Sequence, residues 1–282
     1  MISLESLTNS KLNIIFSTIF VSHLEKKHHR KEAIAQIHEY EKIFKNYKNK
    51  FFKIQSKEDL KIDVHKKTGL IFLMEGAEPI KKIDDIDLFH ELGLRILSLT
   101  WNHENQYAYG TNTDGTLKKK GFELIDKMNE KKIALDLSHL CEGSFWDAIN
   151  RTKLVPLASH SNSYSIRNHK RNLKDEQLTA ISNKGGVTGI VLYNDFISNK
   201  KDLSLEDVYT QFQYLLNICG EDHIALGSDI DGAPIVDFPV GIKKASDLKK
   251  IIDFLESKKV KTSIIEKFSG RNAFRVLNEN LI

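Results

Sequence analysis

The 282-residue sequence predicts an α/β fold, a parallel sheet covered by helices, of the eight-stranded barrel class. Three observations lead there. Short apolar runs of β type alternate with segments of helical periodicity. The runs are apolar almost throughout rather than at every second residue, as in strands buried on both faces. The length suits one such barrel, and with 4 prolines and no low-complexity or Gly/Ser linker nothing marks a domain boundary.

Taken in order, "LNIIFSTIFV" (12–21) opens the series. Ala33, Ile34, Ile37, Tyr40, Phe44 and Tyr47 then recur close to a period of 3.6 and predict a helix. "TGLIFLME" (68–75), "RILSLTW" (95–101), "KIALDLSH" (132–139), "LVPLASH" (154–160) and "GVTGIVLYN" (186–194) come next as strands. Val208, Phe212, Leu215 and Leu216 mark a second strong helix, and "HIALGSD" (223–229) is the last strand. That makes seven strands, one short of a closed barrel. In a barrel the active site forms at the C-terminal strand ends. Glu75, His139, His160 and Asp229 stand at or just past those ends.

Composition narrows the function. A formal charge of +4, from 42 basic and 38 acidic residues, is no footprint of a nucleic-acid binder. Cys141 and Cys219 are too few and too far apart for a disulfide framework, which favours a reducing, cytoplasmic setting. "LNIIFSTIFV" is about half the ~20 residues of a membrane span. Glu5 before it and His23, Glu25 and Lys26 after it do not fit a signal peptide. "HLEKKHHRKE" (23–32), basic and histidine-rich, reads as a solvated helix start. There is no Gly-rich phosphate loop, no Gly-x-Ser-x-Gly elbow and no cysteine with an evident base.

Two imidazoles and a carboxylate at strand ends make a candidate zinc shell, because zinc accepts nitrogen and oxygen ligands and catalytic sites keep a position open for water. Glu75, His139 and His160 are the candidates, although a strand-end histidine bonded to a backbone carbonyl is an equally ordinary feature. Asp229 comes directly off an apolar run in "GSDIDGAP" and is the candidate for proton transfer. Asp231, two residues on, would face the same way on a strand and also suits a plain turn. Arg171 in "RNHKRNLKDEQL" could pair with a substrate carboxylate.

Together "LMEGAEPI", "GLRILSLTWNHEN", "IALDLSHL", "PLASHSNSYSIRNHKRNL" and "ALGSDIDG" resemble, in order, the membrane dipeptidase (renal dipeptidase) family of zinc peptidases. The resemblance runs from about Leu12 to the C-terminus. It implies a TIM-type (β/α)8 barrel, metallo-dependent hydrolase-like, with residues 1–282 as a single catalytic domain. It also implies that Glu75 resembles the carboxylate bridging two zinc ions, and that His139 and His160 match ligands of the second. Arg171 would bind the dipeptide's C-terminal carboxylate, and Asp229 would contact its amino group and transfer the proton.

Two departures stand out. The family usually carries a His-x-Asp pair on its first strand, completing the first zinc site, and no such pair precedes Glu75. The opening "MISLESLTNSKLNIIF" is similar to the segment leading into the second strand, so the first strand is expected to be missing, with one or two zinc ions held. Trp101 stands where many members have a substrate-contacting histidine, with His103 two residues on. An open sheet edge of this kind favours association, so a homodimer is one expectation. The expected activity is dipeptide hydrolysis. The other readings are a silent relative that keeps the fold, and a hydrolase of other small amides.

Overall fold

The computed structural model describes residues 2–22, 28–62 and 66–282. Its elements, in chain order, begin with α1 (Leu4–Ser10), β1 (Ile14–Phe20), α2 (His29–Asn46), β2 (Phe51–Lys53), β3 (Thr68–Glu75), α3 (Asp85–Glu91), β4 (Leu94–Ser98), α4 (Lys119–Lys131) and β5 (Ala134–Asp136). They continue with α5 (Glu142–Arg151), β6 (Leu157–Ala158), α6 (Asp175–Asn183), β7 (Val187–Ile190), α7 (Asn194–Ile197) and α8 (Leu205–Cys219). The last are β8 (Ile224–Leu226), α9 (Lys249–Ser257), α10 (Thr262–Glu266) and α11 (Asn272–Asn280). The chain forms two compact units, residues 13–156 with 277–282 and residues 1–12 with 157–276.

In the first unit β1 pairs with β3 along seven residues, from Ile14 opposite Gly69 to Phe20 opposite Glu75. On its other side β3 pairs with β4, with a register shift between Phe72 and Leu73, and β4 pairs with β5. All of these pairs are parallel. β3 is buried at every position but its last, which is why its sequence shows no alternation. α2 lays Ala33 and Ile37, both fully buried, onto this sheet. Its Tyr40 and Phe44 rings stand 5.2 and 6.2 Å from Phe72 of β3. Burying an isoleucine such as Ile37 contributes about 1.5–3 kcal/mol. Tyr47, expected on the helical face, lies one residue past the helix and is exposed.

In the second unit β6, β7 and β8 pair in parallel. α8 covers them with Val208, Phe212 and Leu215. It opens on a capping box. The Ser204 hydroxyl accepts from the Glu206 N–H, and Asp207 accepts from the Ser204 N–H.

Each of the seven apolar runs contains one strand. An eighth strand, β2, was not anticipated. It is three residues long and pairs only with the start of β3, from Thr68 to Leu70, too short a stretch to show a period. The strand order runs β1, β3, β4, β5 in one unit and β6, β7, β8 in the other, with β2 beside β3. Of the basic stretch 23–32, His23, Glu25 and Lys26 lie outside the described residues, while Arg30 in the first turn of α2 pairs with Asp85 at 2.9 Å. Among the described residues no helix is long and apolar enough to cross a membrane.

Candidate active site

In the unit of residues 13–156, β3 delivers Glu75 as its final residue, and the chain turns away at Gly76, whose φ of +89° suits glycine. The Gly76 N–H donates to Ser98 Oγ at the end of β4, which fixes the turn. Glu75 Oε1 lies 2.7 Å from His139 Nε2, and the two side chains are 14% and 6% exposed. His139 stands three residues past β5 with φ +69°, a left-handed conformation uncommon outside glycine. Its carbonyl accepts from the Thr111 N–H at 3.0 Å. Its second ring nitrogen, Nδ1, lies 2.8 Å from Asn102 Oδ1.

Aromatic rings flank this pair. Trp101 stands 6.1 Å from the His139 ring, 5.5 Å from Phe20 at the end of β1, and 5.9 Å from His103. His103 thus packs against Trp101. Glu78 lies just beyond Glu75 in the same loop. Burial pushes its carboxyl pKa up, the Asn105 amide donating to it opposes this, and the charge of Glu75 adds to the rise.

In the unit of residues 157–276, His160 comes two residues after β6 and is buried, with Nδ1 2.7 Å from the Ser159 hydroxyl oxygen. The turn that carries it packs very tightly. A Cβ on Gly189 or Gly227 would run into the Ser159 carbonyl oxygen, so these glycines let β7 and the end of β8 approach the His160 turn. Asn162, fully buried, ties the loop down. Its amide donates to the carbonyls of Val191 and Phe196, and its oxygen accepts the Val191 N–H.

Arg171 is 4% exposed. It is no solvated loop arginine. Its Nη2 donates to the His160 carbonyl at 3.2 Å and its guanidinium lies 5.4 Å from the Phe196 ring centre. His169 packs on the same ring at 4.7 Å.

Asp229 requires a correction. β8 ends at Leu226, so Asp229 is not on the strand and the two-residue alternation with Asp231 does not hold. Asp229 instead occupies a left-handed turn with φ +52°, and its carboxylate folds over Gly232, where any Cβ would collide with it. Asp231 is exposed and accepts the Ile2 N–H.

Sequence reasoning missed Asn102 and Ser159 as partners of the two histidines. Ser159 is adjacent to its histidine, and its hydroxyl was there to be considered. Asn102 and His139 are 37 residues apart, and no local pattern links them. Of the cysteines, both free and buried, Cys219 has its thiol pushed up to about 12 by burial and is no nucleophile at neutral pH.

A half-buried carboxylate oxygen held beside a ring nitrogen of the buried His139, whose other ring nitrogen is engaged by an amide, is a donor set that fits a metal ion. The model of the family described as Membrane dipeptidase (Peptidase family M19) matches residues 1–281. An uncharacterized protein in the pqqA 5′ region of Klebsiella pneumoniae is 33% identical over 205 residues, which cover 68% of this chain and 74% of that protein. Two solved structures share the fold at 25% identity and over 99% of this chain. One is the metallopeptidase dipeptidase AC, with a TM-score of 0.93 over 89% of its chain. The other is a Rhodobacter sphaeroides metallopeptidase liganded with a phosphinate mimic of the dipeptide L-Ala-D-Ala, with a TM-score of 0.91 over 90% of its chain. The likeness places the fold in the α/β, TIM-like barrel class of these peptidases. The chain spans roughly half to three-quarters of the length of the curated relatives it matches.

Proposed function

The chain belongs to the membrane dipeptidase family, and on that premise we propose that it is a metal-dependent dipeptidase that hydrolyses the peptide bond of small dipeptides. The observation that carries the reading is the Glu75–His139 contact at 2.7 Å, a half-buried acid and a buried imidazole brought together by two different strand ends. The phosphinate mimic of L-Ala-D-Ala held by the Rhodobacter sphaeroides protein supports a dipeptide as the substrate class.

Glu75, His139 and His160 each offer one donor atom and are proposed as the metal ligands, with zinc as the ion and one or two ions held. When bound, zinc supplies Lewis acidity and a lowered water pKa. Arg171 is proposed to bind the substrate's terminal carboxylate. Its guanidinium is desolvated and stacked on Phe196, so it is presented in one orientation and its charge is poorly screened by water. Asp229 is proposed to contact the substrate ammonium and to take or return the proton during bond cleavage, with its carboxylate set by the turn over Gly232. Recognition of both termini by charge would restrict the substrate to a dipeptide. Residues 1–282 are proposed to act as one catalytic domain. The free cysteines support a cytoplasmic setting, and a homodimer is proposed from the sheet-edge argument.

The test is hydrolysis of a panel of dipeptides by zinc-loaded protein, with free and amidated C-termini. Losing charge-assisted hydrogen bonds worth about 1.5–3 kcal/mol predicts that Arg171→Ala lowers kcat/KM by roughly 10–100-fold on free dipeptides. The same change should leave the amidated ones little affected. No turnover of any dipeptide by the loaded protein would refute the reading. Turnover of amides that ignores both the carboxylate and Arg171 would instead favour a hydrolase of other small amides.

A further inference from the structure

The His139 ring is engaged at both nitrogens, Nε2 by Glu75 and Nδ1 by Asn102. We propose that Asn102 is a positioning residue for the metal, its side-chain oxygen accepting the Nδ1 proton of His139 and so presenting the Nε2 lone pair to the ion. This rests on the metal-site reading above. A histidine that gives one ring nitrogen to a metal must carry its proton on the other, and that proton needs an acceptor fixed in place.

Asn102 is fixed. Its side-chain oxygen also accepts from the Thr111 hydroxyl at 3.0 Å, and its backbone carbonyl accepts the Asn112 N–H at 2.7 Å. Thr111 grips the other partner as well, because its N–H donates to the His139 carbonyl at 3.0 Å. One threonine therefore holds the amide and the imidazole in mutual register. The approach depends on Gly110, since a Cβ there would strike the carbonyls of Trp101 and Asn102. Gly110 in turn bridges to Leu140, the residue after His139. His139 itself sits at φ +69°, so its ring direction is not the one a regular strand end would give, and its setting comes from these partners.

The test compares Asn102→Leu, Asn102→Ala and Asn102→Asp in the full chain. Leucine removes the acceptor at similar volume, alanine removes it without overpacking, and aspartate keeps an oxygen in place. The readouts are zinc affinity by competition with a chromogenic chelator, the absorption spectrum of the cobalt(II)-substituted protein, and the thermal midpoint of the metal-free protein. The expected result is zinc binding weakened by about 10–100-fold in Asn102→Leu and Asn102→Ala, with an altered cobalt spectrum. Asn102→Asp should bind nearly as tightly as the original chain, with metal-free midpoints alike across the set. Undiminished zinc affinity in the alanine variant would overturn the proposal, as would equal losses in the aspartate and alanine variants. His139→Ala serves as the control. If it loses zinc and the Asn102 variants do not, the positioning role alone fails; if it binds zinc as before, the metal-site reading fails with it.

Discussion

His139 at φ +69° and Asp229 at φ +52° are two of a handful of non-glycine residues in the left-handed region. Histidine and aspartate visit that region more readily than branched or bulky residues do, yet it still carries a local cost. Each is stabilised by its surroundings, His139 by Thr111, Asn102 and Glu75, and Asp229 by the turn bond from the Gly232 N–H to its carbonyl. Residues at such strand ends are set by polar contacts rather than by core packing. Glu75→Ala and His139→Ala should therefore each lower zinc affinity by at least about tenfold. The metal-free thermal midpoint should move little, because neither change opens a large apolar cavity. Chelator competition and a thermal scan check both halves, and unchanged zinc binding in both variants would sink the assignment. The types and strand-end positions of these residues were legible in the sequence. The left-handed turns were not, because histidine gives no turn signal of its own and Asp229, although of a turn-forming type, follows directly on an apolar run that reads as strand.

β6 is only two residues long, and the turn leaving it is held by glycine contacts rather than by an extended ladder. The Ser159 carbonyl occupies the space that side chains at Gly189 and Gly227 would need, and the Ser161 N–H donates to the Gly189 carbonyl at 2.7 Å. Gly189→Ala must push this turn away and should destabilise the protein by about 1–3 kcal/mol, the usual cost of overpacking. Urea unfolding measures this, and a midpoint shift indistinguishable from zero would contradict the packing described. Strand existence was legible in all seven runs because each is apolar and ends in polar residues. β2 was not, since three residues against one end of β3 leave no periodic trace. The helices α2 and α8 were legible because their apolar positions repeat over several turns.

Across the whole chain, several carboxyl groups are held below their usual pKa. Lys131 beside Asp87 and Lys267 beside Asp222 do this by hydrogen bonding and charge. Burial alone would raise Asp207 and Asp247, but Lys200 and Ser204 at the first, and Lys250 with the Lys243 N–H at the second, outweigh it. Glu78 is shifted the other way, by burial. A lowered native pKa means that the unfolded chain binds more protons in acid. The stability these aspartates contribute is therefore present above about pH 4, the ordinary carboxyl value, and is lost as pH falls through the native values. The urea midpoint should drop between about pH 4 and pH 2, and high salt should shrink the drop because each pair keeps at least one side chain open to water. A midpoint flat down to that pH would contradict it. The sequence by itself determined the α/β class, the order of the strands and the residue types at their ends, because hydrophobic periodicity and strand-end polarity are local properties of the chain. Only the tertiary structure decided that Glu75 meets His139, that Asn102 meets the other side of the same imidazole and that Arg171 is buried against Phe196. Those contacts join residues tens of positions apart, and they exist only once packing has chosen which strand ends and loops come together.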